Sequence, residues 1–239
     1  MRTPRFNSWR RAGAVLLAAL AVGTLGATAR AQTPPTAEEI AAYQGLHAAA
    51  AAGDVAAVER WVKAGADVNG RDASRRTPLI VAAHGRQLAV AKALIDANAN
   101  VNAFDNARYD VVTIAAVAGD IEMLKLALAS GGNAAAVTSP YDGTALIAAA
   151  HLGNVAAVKA LIAAKAPLDH INNLGWTALI EAIVLGGGGA RHTQVVRALI
   201  AAGANLNIGD RAGARPLKLA RDRGHTEIAK LLEAAGARP

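Results

Sequence analysis

The chain has 239 residues, 53% of them hydrophobic but only 3% aromatic, with no cysteine and a formal net charge of +7. Without cysteine there is no disulfide framework, no thiolate metal site and no cysteine nucleophile. The basic excess is local: five arginines (2, 5, 10, 11, 30) and no acid lie in residues 1–31, which leaves 25 − 5 = 20 bases against 18 acids, or +2, for 32–239, too little for the concentrated footprint of a nucleic-acid binder.

In chain order the first element is an export signal. Arg2, Arg5, Arg10 and Arg11 form a basic start. Ala12 to Ala29 carries no charge and has an apolar centre at Val15, Leu16, Leu17 and Leu20. Ala29-Arg30-Ala31 then offers a small-x-small cleavage site before Gln32. These three regions predict a cleavable signal peptide over 1–31 and an exported, periplasmic chain. The competing reading, an uncleaved anchor, is weakened because the stretch is mostly Ala and Gly, and no membrane insertion is expected after cleavage. Arg10-Arg11 hints at the twin-arginine route, but Trp9 separates the pair from Ser8 and no Phe-Leu follows, so the general secretory route is preferred.

Residues 32–37, with Pro34-Pro35, read as a linker. Beyond it a small-residue phrase, Gly65-Ala66-Asp67-Val68-Asn69, returns from Asn98, Gly131, Lys165, Gly203 and Gly236, at intervals of 33, 33, 34, 38 and 33 residues. A period of that size means stacked supersecondary units. The units run 38–69, 70–102, 103–136, 137–169, 170–207 and 208–239. Twelve residues after most tails stands a second phrase: Thr77-Pro78-Leu79, Thr177-Ala178-Leu179, Arg215-Pro216-Leu217, with Thr144-Ala145-Leu146 one residue late. Thr suits a helix N-cap and Pro the first helical position. Gly53-Asp54, Gly119-Asp120, Gly153-Asn154 and Gly224-His225 break each unit into two helices. Repeat two has Arg86 where the turn glycine is expected, and repeat three has Asp110-Val111-Val112 in place of the Thr-Pro-Leu phrase. Insertions fall around Thr138-Ser139-Pro140-Tyr141 and over Gly186 to Thr193, the latter read as a mobile loop because of its four glycines.

Phrases and spacing together resemble the ankyrin-repeat family over roughly residues 38–239. The resemblance implies an all-α solenoid of about six repeats, each a hairpin-like finger followed by two antiparallel helices. It also implies a non-enzymatic protein binder that presents finger tips and a concave face to a protein partner.

Six aromatics follow the export signal, and four of them, Phe104, Tyr109, Tyr141 and Trp176, fall in successive fingers. Large amphipathic side chains there are candidate partner anchors, weighed against packing between fingers. Arg71, Arg75 and Arg108, with Asp105 and Asp210, are candidate polar contacts around them.

A basic row, Lys92, Lys125, Lys159, Arg197 and Lys230, recurs in the second helices and reads as a solvated face before it reads as a lipid-binding stripe. No histidine pair has metal-ligand spacing, Gly186 to Gly189 lacks the Lys-Ser/Thr of a phosphate loop, and Ser74, Ser130 and Ser139 lie in no nucleophile elbow. The expectation is therefore no catalytic residue, no cofactor, no metal and no nucleic acid, in a monomer. Two functions remain: a periplasmic scaffold that holds a partner protein, or a dedicated inhibitor of immunity type that blocks a toxin or hydrolase.

Overall fold

A computed structural model describes residues 33–239, so the expected signal peptide lies outside the described residues. The chain enters α1 (Ala37–Ala42) through a capping box: Glu39 N–H donates to Thr36 Oγ1, and Thr36 N–H donates to the Glu39 carboxylate at 2.7 Å. Two amides that a helix start would leave unpaired are thereby satisfied. The linker expected over 32–37 ends at Thr36, because Thr-x-x-Glu starts a helix at Ala37.

Six helix pairs follow: α2 (Gly45–Ala52) with α3 (Val55–Lys63), α4 (Pro78–His84) with α5 (Leu88–Asp96), α6 (Val111–Ala118) with α7 (Ile121–Ala129), α8 (Ala145–His151) with α9 (Val155–Ala163), α10 (Ala178–Val184) with α11 (Ala190–Ala201), and α12 (Pro216–Asp222) with α13 (Thr226–Ala234). The first helices stack on one another in one layer and the second helices in another, each packing against its own partner and its neighbours along the stack. Alanine makes this close stacking possible. Ala82, Ala83, Ala91, Ala115, Ala116, Ala149 and Ala150 are all buried between the layers, where a larger side chain would push helices apart.

The helix starts obey the predicted chemistry. Thr77, Thr144 and Thr177 accept from the N–H of Ile80, Ile147 and Ile180 at 3.3 Å. Asp110 does the same for Thr113 at 2.8 Å, so the degenerate third phrase keeps its cap. Each cap is worth about 1 kcal/mol. Arg86 adopts φ +54° and makes the left-handed turn that glycine makes in other repeats. Its guanidinium reaches the Ala118 carbonyl of the next repeat at 2.5 Å.

Among the described residues only one finger forms paired strands, β1 (Val137–Thr138) and β2 (Gly143–Thr144), antiparallel with Val137 opposite Thr144. It is the finger with the extra residue. Neighbouring fingers are joined by backbone bonds: Asn106 N–H to Ser74 O at 3.0 Å, Ser139 N–H to Arg108 O at 3.1 Å, and Asn173 N–H to Tyr141 O at 2.9 Å. A second ladder runs along the finger roots. Side-chain oxygens of Asn69, Asn102, Asp169 and Asn207 accept from the N–H of Asn100, Asn133, Asn205 and Arg238, each at 2.8 Å. One rung is missing, between repeats three and four. There Ala135 replaces the acceptor and Pro167, which has no N–H, replaces the donor.

The insertion in repeat five is not wholly a loop. Ala190–Thr193 forms the first turn of α11, which leaves only Leu185 to Gly189 between the helices. Two of the glycines are there for space: a Cβ on Gly186 would overlap the Ala182 carbonyl and the His192 ring, and one on Gly188 would meet His225. Among the described residues no helix is long and apolar enough to cross a membrane.

Candidate functional site

The fingers of repeats two to six occupy residues 70–76, 103–109, 137–143, 170–176 and 208–214. Four of them are folded by one side chain that turns inward onto the finger's own backbone. Asp72 accepts from Arg76 N–H at 2.8 Å; Asp105 from Ala107 and Tyr109 at 2.9 and 2.8 Å; Asn172 from Leu174 and Trp176 at 3.0 Å; Asp210 from Ala212 and Ala214 at 2.9 Å. Asp105 and Asp210, read from sequence as partner contacts, are therefore structural. Asp105 is buried, and burial pushes its carboxyl above the usual range against the pull of the Tyr109 and Ala107 amides.

Asn172 stands where three fingers have Asp, and its amide has a second use. Nδ2 donates to Glu181 Oε1 at 2.9 Å, and Glu181 Oε2 lies 3.3 Å from His151 Nδ1. A second carboxylate facing buried Glu181 would repel it; the amide bonds to it instead.

Two rows of equivalent positions run across the fingers. The first holds Arg71, Phe104, Val137, Ile171 and Gly209. Phe104, Val137 and Ile171 are exposed, at 38%, 37% and 51%, and form an apolar column over three adjacent fingers. Tyr141 and Leu174, also exposed, widen it toward the tips. The second row, at the tips, holds Arg75, Arg108, Asp142, Gly175 and Gly213, all with positive φ between 51° and 84°. Glycine adopts that backbone freely, whereas each arginine there costs about 1 kcal/mol of strain. The chain thus keeps cations at two tips where glycine would be easier to accommodate.

The sequence-predicted residues divide accordingly. Phe104 and Tyr141 are exposed on the column. Tyr109 is 3% exposed and packs in the core, so its ring is not presented to a partner. Trp176 is partly buried against the same core. Arg71 is exposed but donates to two carbonyls, Arg75 O at 2.8 Å and Phe104 O at 2.6 Å, tying finger two to finger three. Arg108 pairs with Asp142 at 3.0 Å with both side chains half exposed. Arg75 is exposed and makes no side-chain hydrogen bond among the described residues. Val137, Ile171 and Leu174 carry no aromatic signal and so do not stand out in the sequence. Aligning the fingers position by position would have found the column.

Finger two is locked to α1. Arg76, 2% exposed, bonds Glu39 at 2.5 Å and Asp72 at 2.7 Å, and Tyr43 O–H donates to Asp72 at 2.7 Å. The bond from Arg76, then that from Thr36, holds the Glu39 carboxyl below its usual range. Burial pushes the Asp72 carboxyl up, but bonds from Tyr43 and Arg76 outweigh it and the net shift is down. Burial, then the bond to Asp72, raises Tyr43.

Elsewhere the chemistry is structural. In the basic row Lys92, Lys125 and Lys230 pair with Asp96, Glu122 and Glu227 at 2.7, 3.0 and 3.1 Å, which neutralises most of it. His47, His170 and His192 donate across repeats to the carbonyls of Arg76, Asp142 and His151 at 3.0, 2.7 and 2.9 Å. His84 has a buried Nε2 with no hydrogen-bond partner, and desolvation, with nearby Arg76, lowers its pKa to about 4. Among the described residues no group of three or more His, Cys, Asp or Glu is placed to hold a metal ion.

Fold and site define a helical repeat solenoid with an exposed finger surface. Family models described as ankyrin repeats match residues 46–95 and 112–210. An ankyrin repeat domain from Acinetobacter baumannii AYE is 42% identical, with a TM-score of 0.78, over 81% of this chain and 98% of that one. The ankyrin repeat protein EF0377 is 31% identical, with a TM-score of 0.74, over 82% of this chain and 100% of that one. The chain belongs to the ankyrin-repeat family. The ankyrin repeat protein YahD of Escherichia coli (strain K12) is 43% identical over 98 residues, which span 41% of this chain and about half (49%) of that relative. A chain in the complex of the predatory endopeptidase Bd0816 from Bdellovibrio bacteriovorus with immunity protein Bd3460 is 25% identical, with a TM-score of 0.69, over 80% of this chain and 98% of that one.

Proposed function

We propose that this protein is a non-enzymatic scaffold of the periplasm that holds a partner protein on its finger tips and concave face. The observation that carries the reading is the exposed column of Phe104, Val137, Ile171, Tyr141 and Leu174, apolar side chains set on a frame fixed by its own hydrogen bonds. A rigid apolar strip with a polar rim has the make-up of an interface centre. Five fingers offer room for the roughly 800 Å² per side of a stable complex. The periplasmic location rests on the signal-peptide pattern of residues 1–31.

A second reading, a dedicated inhibitor, is favoured by the likeness to a chain from the endopeptidase–immunity protein complex. The two readings differ in what binding does to the partner. Immobilised residues 32–239 and the variant Phe104→Ala/Tyr141→Ala/Ile171→Ala, checked for fold by circular dichroism, are exposed to periplasmic extract. The scaffold reading expects a protein retained by the first bait, lost from the second and still active when bound. Loss of a hydrolytic activity on binding selects the inhibitor. Equal retention by both baits would overturn the finger surface.

A further inference from the structure

The two finger rows carry more than an apolar strip, because charge is distributed unevenly along them. At fingers two and three stand Arg71, Arg75 and Arg108, with one exposed carboxylate, Asp142, facing them from finger four. Within fingers two and three the other acids are spent: Asp72 is bound by Arg76, and Asp105 is buried in its own finger. Over fingers three to five the first row is apolar at Phe104, Val137 and Ile171, with Tyr141 and Leu174 beside it. At finger six both rows end in glycine, Gly209 and Gly213, and Arg211 is turned back onto the Asn173 carbonyl. The surface therefore has a cationic end and an apolar body. Arg75 and Arg108 hold their places at positive φ, where Gly175 and Gly213 show the unstrained alternative.

We infer that the partner presents an extended segment with apolar side chains over fingers three to five and acidic side chains over fingers two and three. The inference rests on the finger-surface reading and deepens it by naming the chemistry of the occupant. Three finger intervals at about 10 Å each span about 30 Å, and an extended chain covers that with about nine residues. Carboxylates suit the arginine end for two reasons: guanidinium forks bind them bidentately, and opposite potentials speed encounter and fix orientation. A basic or neutral segment would leave Arg75 unpaired at the contact.

The test is selection of random nine- to twelve-residue displayed peptides on residues 33–239, followed by binding of the recovered peptides to three variants. Expected are sequences with Asp or Glu on one side of an apolar cluster. Their Kd should rise at least about tenfold in Arg75→Glu/Arg108→Glu and as much in Phe104→Ala/Ile171→Ala, with little change in Arg211→Glu. Peptides that need Phe104 and Ile171 but show no acidic enrichment, or ignore the arginine reversal, overturn this inference and leave the finger surface standing. Peptides indifferent to every finger variant overturn both. Recovery of no binding peptide at all overturns the extended segment, while the extract pull-down still reports on a folded partner.

Discussion

The two ends of the solenoid solve the same problem differently. In the last repeat, Lys218 and Arg221 occupy positions equivalent to Ile80 and Ala83, which are buried in the stack. Both are exposed and paired, Lys218 with Asp222 at 2.6 Å and Arg221 with Glu233 at 2.8 Å. This is the polar outer face a terminal repeat needs. The first repeat has one only in part on its outer helix, where exposed Arg60 stands in the place of Ala93, Leu126, Ala160, Ala198 and Leu231. Trp61 sits at the position of Leu94, Ala127, Leu161, Leu199 and Leu232, all fully buried, and is itself 46% exposed. Its inner helix is instead covered by α1, clamped through Arg76. One end is closed by substitution and the other by an added helix, and among the described residues the Trp61 side is left open. A core position is thus defined by the neighbour stacked on it, not by its place in the repeat.

That comparison can be broken or sharpened by experiment. Leu94→Ala should cost about 3–4 kcal/mol in urea unfolding, whereas Trp61→Ala, one repeat earlier at the same position, should cost less than about 1.5 kcal/mol; equal costs would mean that Trp61 is packed after all. Arg76→Ala leaves the buried Asp72 carboxylate without its ion pair and should cost about 3 kcal/mol, with α1 amides losing hydrogen-exchange protection first.

The pH dependence at His84 comes next in size. Its folded pKa is lowered to about 4 from 6.5, so the unfolded chain binds the proton more readily between these values. Stability is then complete above about pH 6.5 and falls toward pH 4, by up to about 1.4 kcal/mol per pH unit. His84→Gln should flatten that part of the profile.

Lys218→Ile/Arg221→Ile should change monomer stability by under about 1 kcal/mol but strip the terminal face of its charge. Concentration-dependent association in sedimentation is expected, and a strictly monomeric double variant would show that charge does not close that end. Smallest of all, Arg75→Gly should raise stability by about 0.5 kcal/mol, as relieved strain is partly offset by chain entropy.

Repeat length, helix starts and turns were legible because each is written in local chemistry: a threonine or aspartate that caps, a glycine that turns. The α1 helix is legible too, in Thr36-x-x-Glu39, although Pro34-Pro35 beside it gives the segment the look of a linker. Tyr109 reads as a candidate anchor by its side chain alone, but its finger position is buried or partly buried in every finger, at Arg76, Gly143, Trp176 and Ala214 too. The apolar column was hidden for another reason. Val137 and Ile171 are ordinary strand-like residues singly, and only the alignment of three fingers makes them a surface. The network from Asn172 through Glu181 to His151 joins residues from two repeats, so no spacing within one repeat announces it.

The missing rung at Ala135 and Pro167 has a mechanical consequence. A one-dimensional stack transmits load through its junctions in series, so a junction that loses one kind of bond must carry the load through the others. Between repeats three and four the finger roots lack a bond present at other junctions, while the buried Thr113 and Thr138 hydroxyls bond at 3.1 Å and, at the tips, Arg108 grips Asp142. That junction is therefore held by its fingers and its stacked helices, without help from the finger roots. The contacts that carry it are the same fingers that seat the arginine end beside the apolar body, so any load placed on the surface by a partner passes straight into the joint beneath it.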